Sequence, residues 1–208
     1  MAVIAERRRA PRDDLVSALL AARVDGEQLD EAEVIGFCYL LILAGTETTA
    51  NLLANGVMAL AAHPDQREQL RADPSLIPGA VEEMLRWDSP VQSDARTMGN
   101  PVQLHGRVIP EGAKVLLLFG SAGRDEREYP DADRFDIRRP IERHLQFGHG
   151  IHYCLGAALA RLEAQVTFEE LLARIPDWEV DADPRALPRI RSYMVRGPAR
   201  LPLGWPAA

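Results

Sequence analysis

The run Phe147-Gly148-His149-Gly150-Ile151-His152-Tyr153-Cys154-Leu155-Gly156 is the sharpest feature of the chain. Three glycines surround one cysteine, and a helical pattern starts directly after it. Glycine admits dihedrals closed to other residues and lets a flat ligand approach the backbone. A helix N-terminus aims free N–H groups and the positive end of a dipole at the sulfur, which favours thiolate. The loop therefore reads as a device that presents Cys154 as an anionic ligand or nucleophile. Two other readings stand on these residues alone. In one, Cys154 is a small core hydrophobe. In the other, His149, His152 and Cys154 hold zinc, although no second cluster offers a fourth ligand at a recognisable spacing.

Upstream lies the longest apolar stretch. Val34 to Leu60 carries a single charge, Glu47, in 27 residues. That length could cross a bilayer. Its centre argues against this, because Gly45, Thr46, Glu47, Thr48 and Thr49 sit there and a carboxylate at mid-bilayer costs ~2.5 kcal/mol or more. A helix buried within protein, apolar nearly all round, is expected instead. Asp30 as N-cap with Glu33 three residues on starts it, and Pro64 stops it near Ala62.

Further elements follow from periodicity and punctuation. Helices are expected over Asp13–Ala22, Asp65–Arg71, Ile77–Trp87 and Leu155–Arg174, the last stopping before Pro176. Val24 to Gln28, with Gly26, reads as a turn. Thr97–Pro110 and Ala113–Phe119 read as short antiparallel strands, Ser121–Leu145 as irregular coil, and Trp178–Leu203 as one or two final strands. The class is mainly α with a minor antiparallel β part, organised as one domain over residues 1–208.

Composition excludes several functions. With 47% apolar residues the chain is no disordered tail. A net charge of −7 argues against a nucleic-acid binder, and 6% aromatics are too few for a base-stacking surface. Two cysteines, Cys38 and Cys154, make no disulfide scaffold, and no secretory leader is legible in the first residues. A reducing cytoplasm is the expected compartment. Lys114 is the only lysine beside many arginines, a codon bias of GC-rich bacteria.

The motifs together resemble the haem-thiolate monooxygenases, the cytochrome P450 family, of the soluble bacterial type. The cysteine loop fits the family pattern Phe-x-x-Gly-x-His-x-Cys-x-Gly at Phe147, Gly150, His152, Cys154 and Gly156. Ala44-Gly45-Thr46-Glu47-Thr48-Thr49 fits the oxygen-binding motif of the long central helix, and Glu83-Met84-Leu85-Arg86 the Glu-x-x-Arg pair of a later one. The resemblance implies the family's fold, haem b (iron protoporphyrin IX) and Cys154 as axial ligand to its iron. It implies that Phe147 packs beside the sulfur, that His152 and Arg96 receive the haem propionates, and that Ala44, Gly45, Gly148 and Gly156 lie along the haem. Glu47 and Thr48 match the acid–alcohol pair that delivers protons to bound oxygen. Glu83, Arg86 and a third arginine match a structural lock, with Arg139 fitting the third place better than Arg134. At Gly123 the family commonly has asparagine, a departure expected only to loosen a turn.

The same resemblance implies a small organic substrate and NAD(P)H-derived electrons brought by a ferredoxin or similar donor. Arg138, Arg139, Arg143 and Arg161 flank the cysteine loop and suit docking of an acidic partner. No nucleic acid and no membrane are expected as partners. The likeness is to the C-terminal half of the family's proteins, so a missing N-terminal half is an expected partner. The alternative is a catalytically silent fragment that binds haem or another protein without turnover.

Overall fold

The structure, a computed structural model, describes residues 2–175, 177–183 and 186–206. The chain divides into two compact units, Met1–Glu47 and Thr48–Ala208.

The first unit opens with α1 (Ala2–Arg9), an arginine-rich helix that periodicity did not reveal. In α2 (Leu15–Ala21) the Asp14 carboxylate caps the first turn, accepting from the Ser17 N–H at 2.8 Å. The expected turn is a small hairpin, β1 (Arg23–Val24) with β2 (Glu27–Gln28), closed by Asp25 and Gly26. The start of α3 (Glu31–Ala62) is a reciprocal capping box. Asp30 Oδ1 accepts from the Glu33 N–H and Glu33 Oε2 from the Asp30 N–H, each at 2.8 Å. Ile4, Leu19 and Val34 form a small core with Phe37 and Cys38 packed on it. Further along α3, the Thr46 hydroxyl donates to the Ile42 carbonyl at 2.8 Å, the back-bonding by which threonine bends helices. Tyr39, Leu40, Ile42 and Leu43 are exposed. The all-round burial expected of this helix is thus absent from its first half among the described residues.

The second unit buries the rest. Leu52, Val57, Ala59 and Leu60 of α3 enter its core. They meet α4 (Pro64–Ala72), α5 (Ile77–Trp87) and α7 (Ala157–Arg174). Ala80, Val81, Met84 and Leu85 pack with Ala164, Phe168 and Leu172. Between α5 and α7 come β3 (Asp94–Thr97), β4 (Val102–Leu104), β5 (Arg107–Ile109), β6 (Lys114–Leu117) and the short α6 (Phe119–Ala122). β3 pairs antiparallel with β6, and β4 with β5. The first strand thus starts three residues before the expected Thr97, and His105-Gly106 splits the long run into a hairpin. At the end, β7 (Glu179–Val180) pairs with β8 (Leu203–Gly204), while Pro176, the expected helix stop, is outside the described residues.

The stretch before the cysteine loop has almost no regular structure, yet it is fixed. α4 holds it and also the segment after α7, where the Arg67 guanidinium donates to the Trp178 carbonyl at 2.7 Å and pairs with Asp177. Gln66 accepts from the Ile137 N–H and donates to the Phe135 carbonyl, both at 2.9 Å. Side chains of helices here replace the ladder that a sheet would supply.

Candidate functional site

The cysteine loop is held by its own backbone. The Gly148 N–H donates to the Leu145 carbonyl at 2.8 Å, and the Cys154 N–H to the Phe147 carbonyl at 2.8 Å. A single 3₁₀ turn, Gly150–His152, lies between. Gly148 and Gly150 have φ of +73° and +70°, which L side chains rarely adopt, so the closure depends on glycine at both places. Cys154 is half-buried, two residues before Gly156 caps α7. Its neighbours are uncovered: Ile151 is 98% and Leu155 76% exposed, and Tyr153 is exposed too. A side chain built at Gly156 would meet nothing within 4 Å.

Arg96 stands on β3 beside Asp94, two residues away on the same face. Its Nη1 donates to Asp94 Oδ2 at 2.6 Å and to the Ala95 carbonyl at 2.8 Å. The Asp94 carboxyl lies below the usual carboxylate range, chiefly because of the Arg96 hydrogen bond, with the charge of His152 adding to it. Asp94, an acid that sequence reading missed, is thus the partner of Arg96 and feels His152.

Glu83 and Arg86, both fully buried, form a fork: Nε to Oε2 at 2.6 Å and Nη2 to Oε1 at 2.7 Å. Arg139 brings its Nε to 3.4 Å from Glu83. Arg134, the competitor, turns its guanidinium to Asp136 at 3.9 Å and gives only its carbonyl to the cluster. Arg86 also donates to the carbonyls of Gly123 at 2.5 Å and Ala132 at 2.8 Å. Gly123 corrects an expectation. A Cβ there would collide with the Arg86 carbonyl and the Gln146 side chain, so this position is a close approach and not a loosened turn.

Ala44, Gly45 and Glu47 lie on the exposed part of α3, and Thr48 is half-buried at the start of the second unit. The four arginines that flank the loop differ in their partners. Arg161 and Arg139 are bound to Glu82 and Glu83, Arg138 donates to Gln69 at 2.9 Å, and Arg143 pairs with Glu128 at 3.0 Å. Among the described residues Arg138 thus keeps an unpaired charge beside a neutral amide, and Arg138 and Arg143 are exposed, whereas Arg139 and Arg161 are committed to acids of α5. Among the described residues no group of three or more His, Cys, Asp or Glu could hold a metal ion, which leaves the zinc reading without its ligands.

Sequence reading also missed Glu82, which precedes Glu83 on α5 and faces a different neighbour. It bonds His144 and Arg161. Burial pushes its carboxyl up, but the His144 and Arg161 hydrogen bonds outweigh that and hold it at about 2. These residues, with Phe147, His149 and Tyr153, line a cavity of about 270 Å³. Its wall carries charges of both signs, unlike the apolar chamber that a small organic ligand requires.

The family described as Cytochrome P450 matches residues 3–190. The chain belongs to the cytochrome P450 family. It is 48% identical over 202 residues to cytochrome P450 107B1 of Saccharopolyspora erythraea, covering 97% of this chain and 50% of that protein. It is 47% identical over 205 residues to the cytochrome P450 monooxygenase PikC of Streptomyces venezuelae, covering 98% and 49%. The structure of cytochrome P450 CYP109Q5 from Chondromyces apiculatus superposes with a TM-score of 0.94 at 47% identity, covering 100% of this chain and 53% of that one. The chain thus spans about half the length of the curated relatives it matches, and its fold is that of cytochrome P450s.

Membership in the cytochrome P450 family implies haem, and the loop fits such a group. A half-buried thiol stands among uncovered apolar side chains, Ile151, Tyr153 and Leu155, that a flat apolar macrocycle would cover. Arg96 and His152 supply the donors its carboxylates require. Cys154 would hold the iron, and Arg96 and His152 the propionates.

Proposed function

We propose that the chain is part of a haem-thiolate monooxygenase that inserts one oxygen atom into a small organic substrate, with NAD(P)H-derived electrons from a ferredoxin or similar donor. The observation that carries the reading is a glycine-closed loop presenting the Cys154 thiol just ahead of α7, in a chain whose relatives include a named monooxygenase. Bound haem supplies the oxygen chemistry, and a cysteine thiolate ligand favours O–O cleavage.

The protein's own groups do the rest. Arg96 and His152 fix the orientation of the group through its carboxylates. Phe147 packs beside the sulfur, and its carbonyl restrains the Cys154 backbone. The Thr48 hydroxyl holds a water and Glu47 relays protons to it, as general acid catalysis requires. Glu83, Arg86 and Arg139 keep the segment before the loop in place and are structural.

We also place the chain in the cytoplasm and read α3 as a helix whose second half is core, and not as a span. It is long and apolar enough to cross a membrane by length and composition, but its last turns are core and Glu47 stands at its middle. The exposed Tyr39, Leu40, Ile42 and Leu43 favour one second reading: a fragment that binds haem or another protein without turnover.

The test is the reduced carbon monoxide spectrum of the haem-loaded chain. The red-shifted Soret band of a thiolate ligand should be present, vanish in Cys154→Ser and persist in Cys38→Ala. The reverse pattern would overturn the assignment. Haem loading with the thiolate band but no oxygenated product from the chain supplied with electrons would select the second reading.

A further inference from the structure

Glu82, His144 and Arg161 have no task in the proposed function, yet they form the ionic group nearest the cysteine loop in sequence. They come from α5, the stretch before Phe147, and α7. Arg161 presents a fork to Glu82, Nε to Oε1 at 2.7 Å and Nη2 to Oε2 at 2.9 Å. His144 Nε2 lies 2.8 Å from Glu82 Oε2. The Gln146 N–H donates to His144 Nδ1 at 3.2 Å, so the ring proton sits on Nε2 and His144 is a donor to the carboxylate.

The same guanidinium reaches the loop. Its carbon lies 4.4 Å from the Phe147 ring centroid, a cation–π contact, and its Nη1 is 3.4 Å from the Tyr153 hydroxyl. Phe147 is in turn bonded to Cys154 through its carbonyl. One line of contacts therefore runs from Glu82 through Arg161 and Phe147 to Cys154. The lock of Glu83, Arg86 and Arg139 differs. Its hydrogen bonds outside the trio go to backbone groups from Gly123 to Asp136, and Arg86 stacks over Tyr129, away from the cysteine loop in sequence.

We propose that Glu82, His144 and Arg161 are positioning residues for Cys154, and that the Arg161 cation and its Glu82 counter-charge together set the electrostatic surroundings of the sulfur ligand. The proposal rests on reading Cys154 as the haem ligand. His144 and the fork hold the guanidinium over Phe147, and its charge is felt at the loop only to the extent that Glu82 leaves it unbalanced. Partly buried charges are weakly screened, so the imbalance would be felt by a haem held at Cys154.

The test is the reduction potential of the haem-loaded chain. Glu82→Gln leaves a cation unbalanced and should raise the potential. Arg161→Gln leaves an anion and should lower it. A purely structural staple, once broken from either side, would move both potentials the same way or move only the thermal midpoint. Same-direction shifts, or none, would overturn the proposal. Arg161→Lys guards against a misfolded variant. It keeps the charge and loses the fork, so the potential should stay near that of the parent while the midpoint falls. A shift as large as that of Arg161→Gln would equally overturn the proposal. Absence of the thiolate Soret band in the parent chain is a separate failure, that of the haem-ligand reading.

Discussion

Thr48 carries one hydroxyl next to Glu47, the sole charge in the 27 residues from Val34 to Leu60. In a turnover-competent protein containing this segment, Thr48→Ala should uncouple electron use from product. Oxygen consumption should continue, hydrogen peroxide should rise and oxygenated product should fall. Unchanged coupling would transfer proton delivery to Glu47 or ordered water. Glu82 gives a pH prediction. Its folded value of about 2 lies below the ordinary glutamate value of about 4.3. A depressed carboxylate stabilises the fold fully above its unfolded value, and the contribution is lost as pH falls towards the folded one. Thermal midpoints should therefore drop between about pH 4.5 and 2, and Glu82→Gln should flatten that slope. An equal slope in the variant would place the acid sensitivity elsewhere.

At the scale of elements, the Glu83–Arg86 pair decides whether α5 can hold the coil before the loop. Both side chains are 0% exposed, so removing one strands the other in a low dielectric. Glu83→Ala should cost about 3–5 kcal/mol, read as the loss in denaturant unfolding free energy. Glu68→Ala, which breaks an exposed i,i+3 pair on α4, should leave the midpoint nearly unchanged. Elements with strong local signals were legible. The Asp30–Glu33 box and the bounds of α5 are where spacing and capping place them. α1 was hidden because three arginines mask its short apolar face. The β3 start at Asp94 was hidden because strand ends are set by partners, here Leu117 of β6. The cysteine loop was legible because its glycines and cysteine are contiguous. Glu82, His144 and Arg161 were not, since a cluster spread over three segments leaves no spacing to read.

At the scale of the molecule, uncovered apolar surface dominates the outlook for stability. Each Å² of apolar surface left in water costs about 25 cal/mol, against a net stability of ~5–15 kcal/mol for ordinary domains. Ile42 and Leu43 on α3, and Leu159, Leu162 and Val166 on α7, are all exposed. The purified chain should bind the dye ANS and elute as assemblies larger than a monomer. A monodisperse monomer that ignores the dye and unfolds cooperatively would show that these faces are tolerated in water. The Arg86 lock and the Gln66 bridges have a counterpart in isotope exchange. The amides of Asp136 and Ile137 donate to Glu83 and Gln66, each bond about 2.8–2.9 Å long. In deuterated buffer these two protons should be retained as long as those of α5, although they belong to a stretch with neither helix nor strand. Slow exchange there would trace the buried side chains of α4 and α5 through the backbone of the coil that they hold.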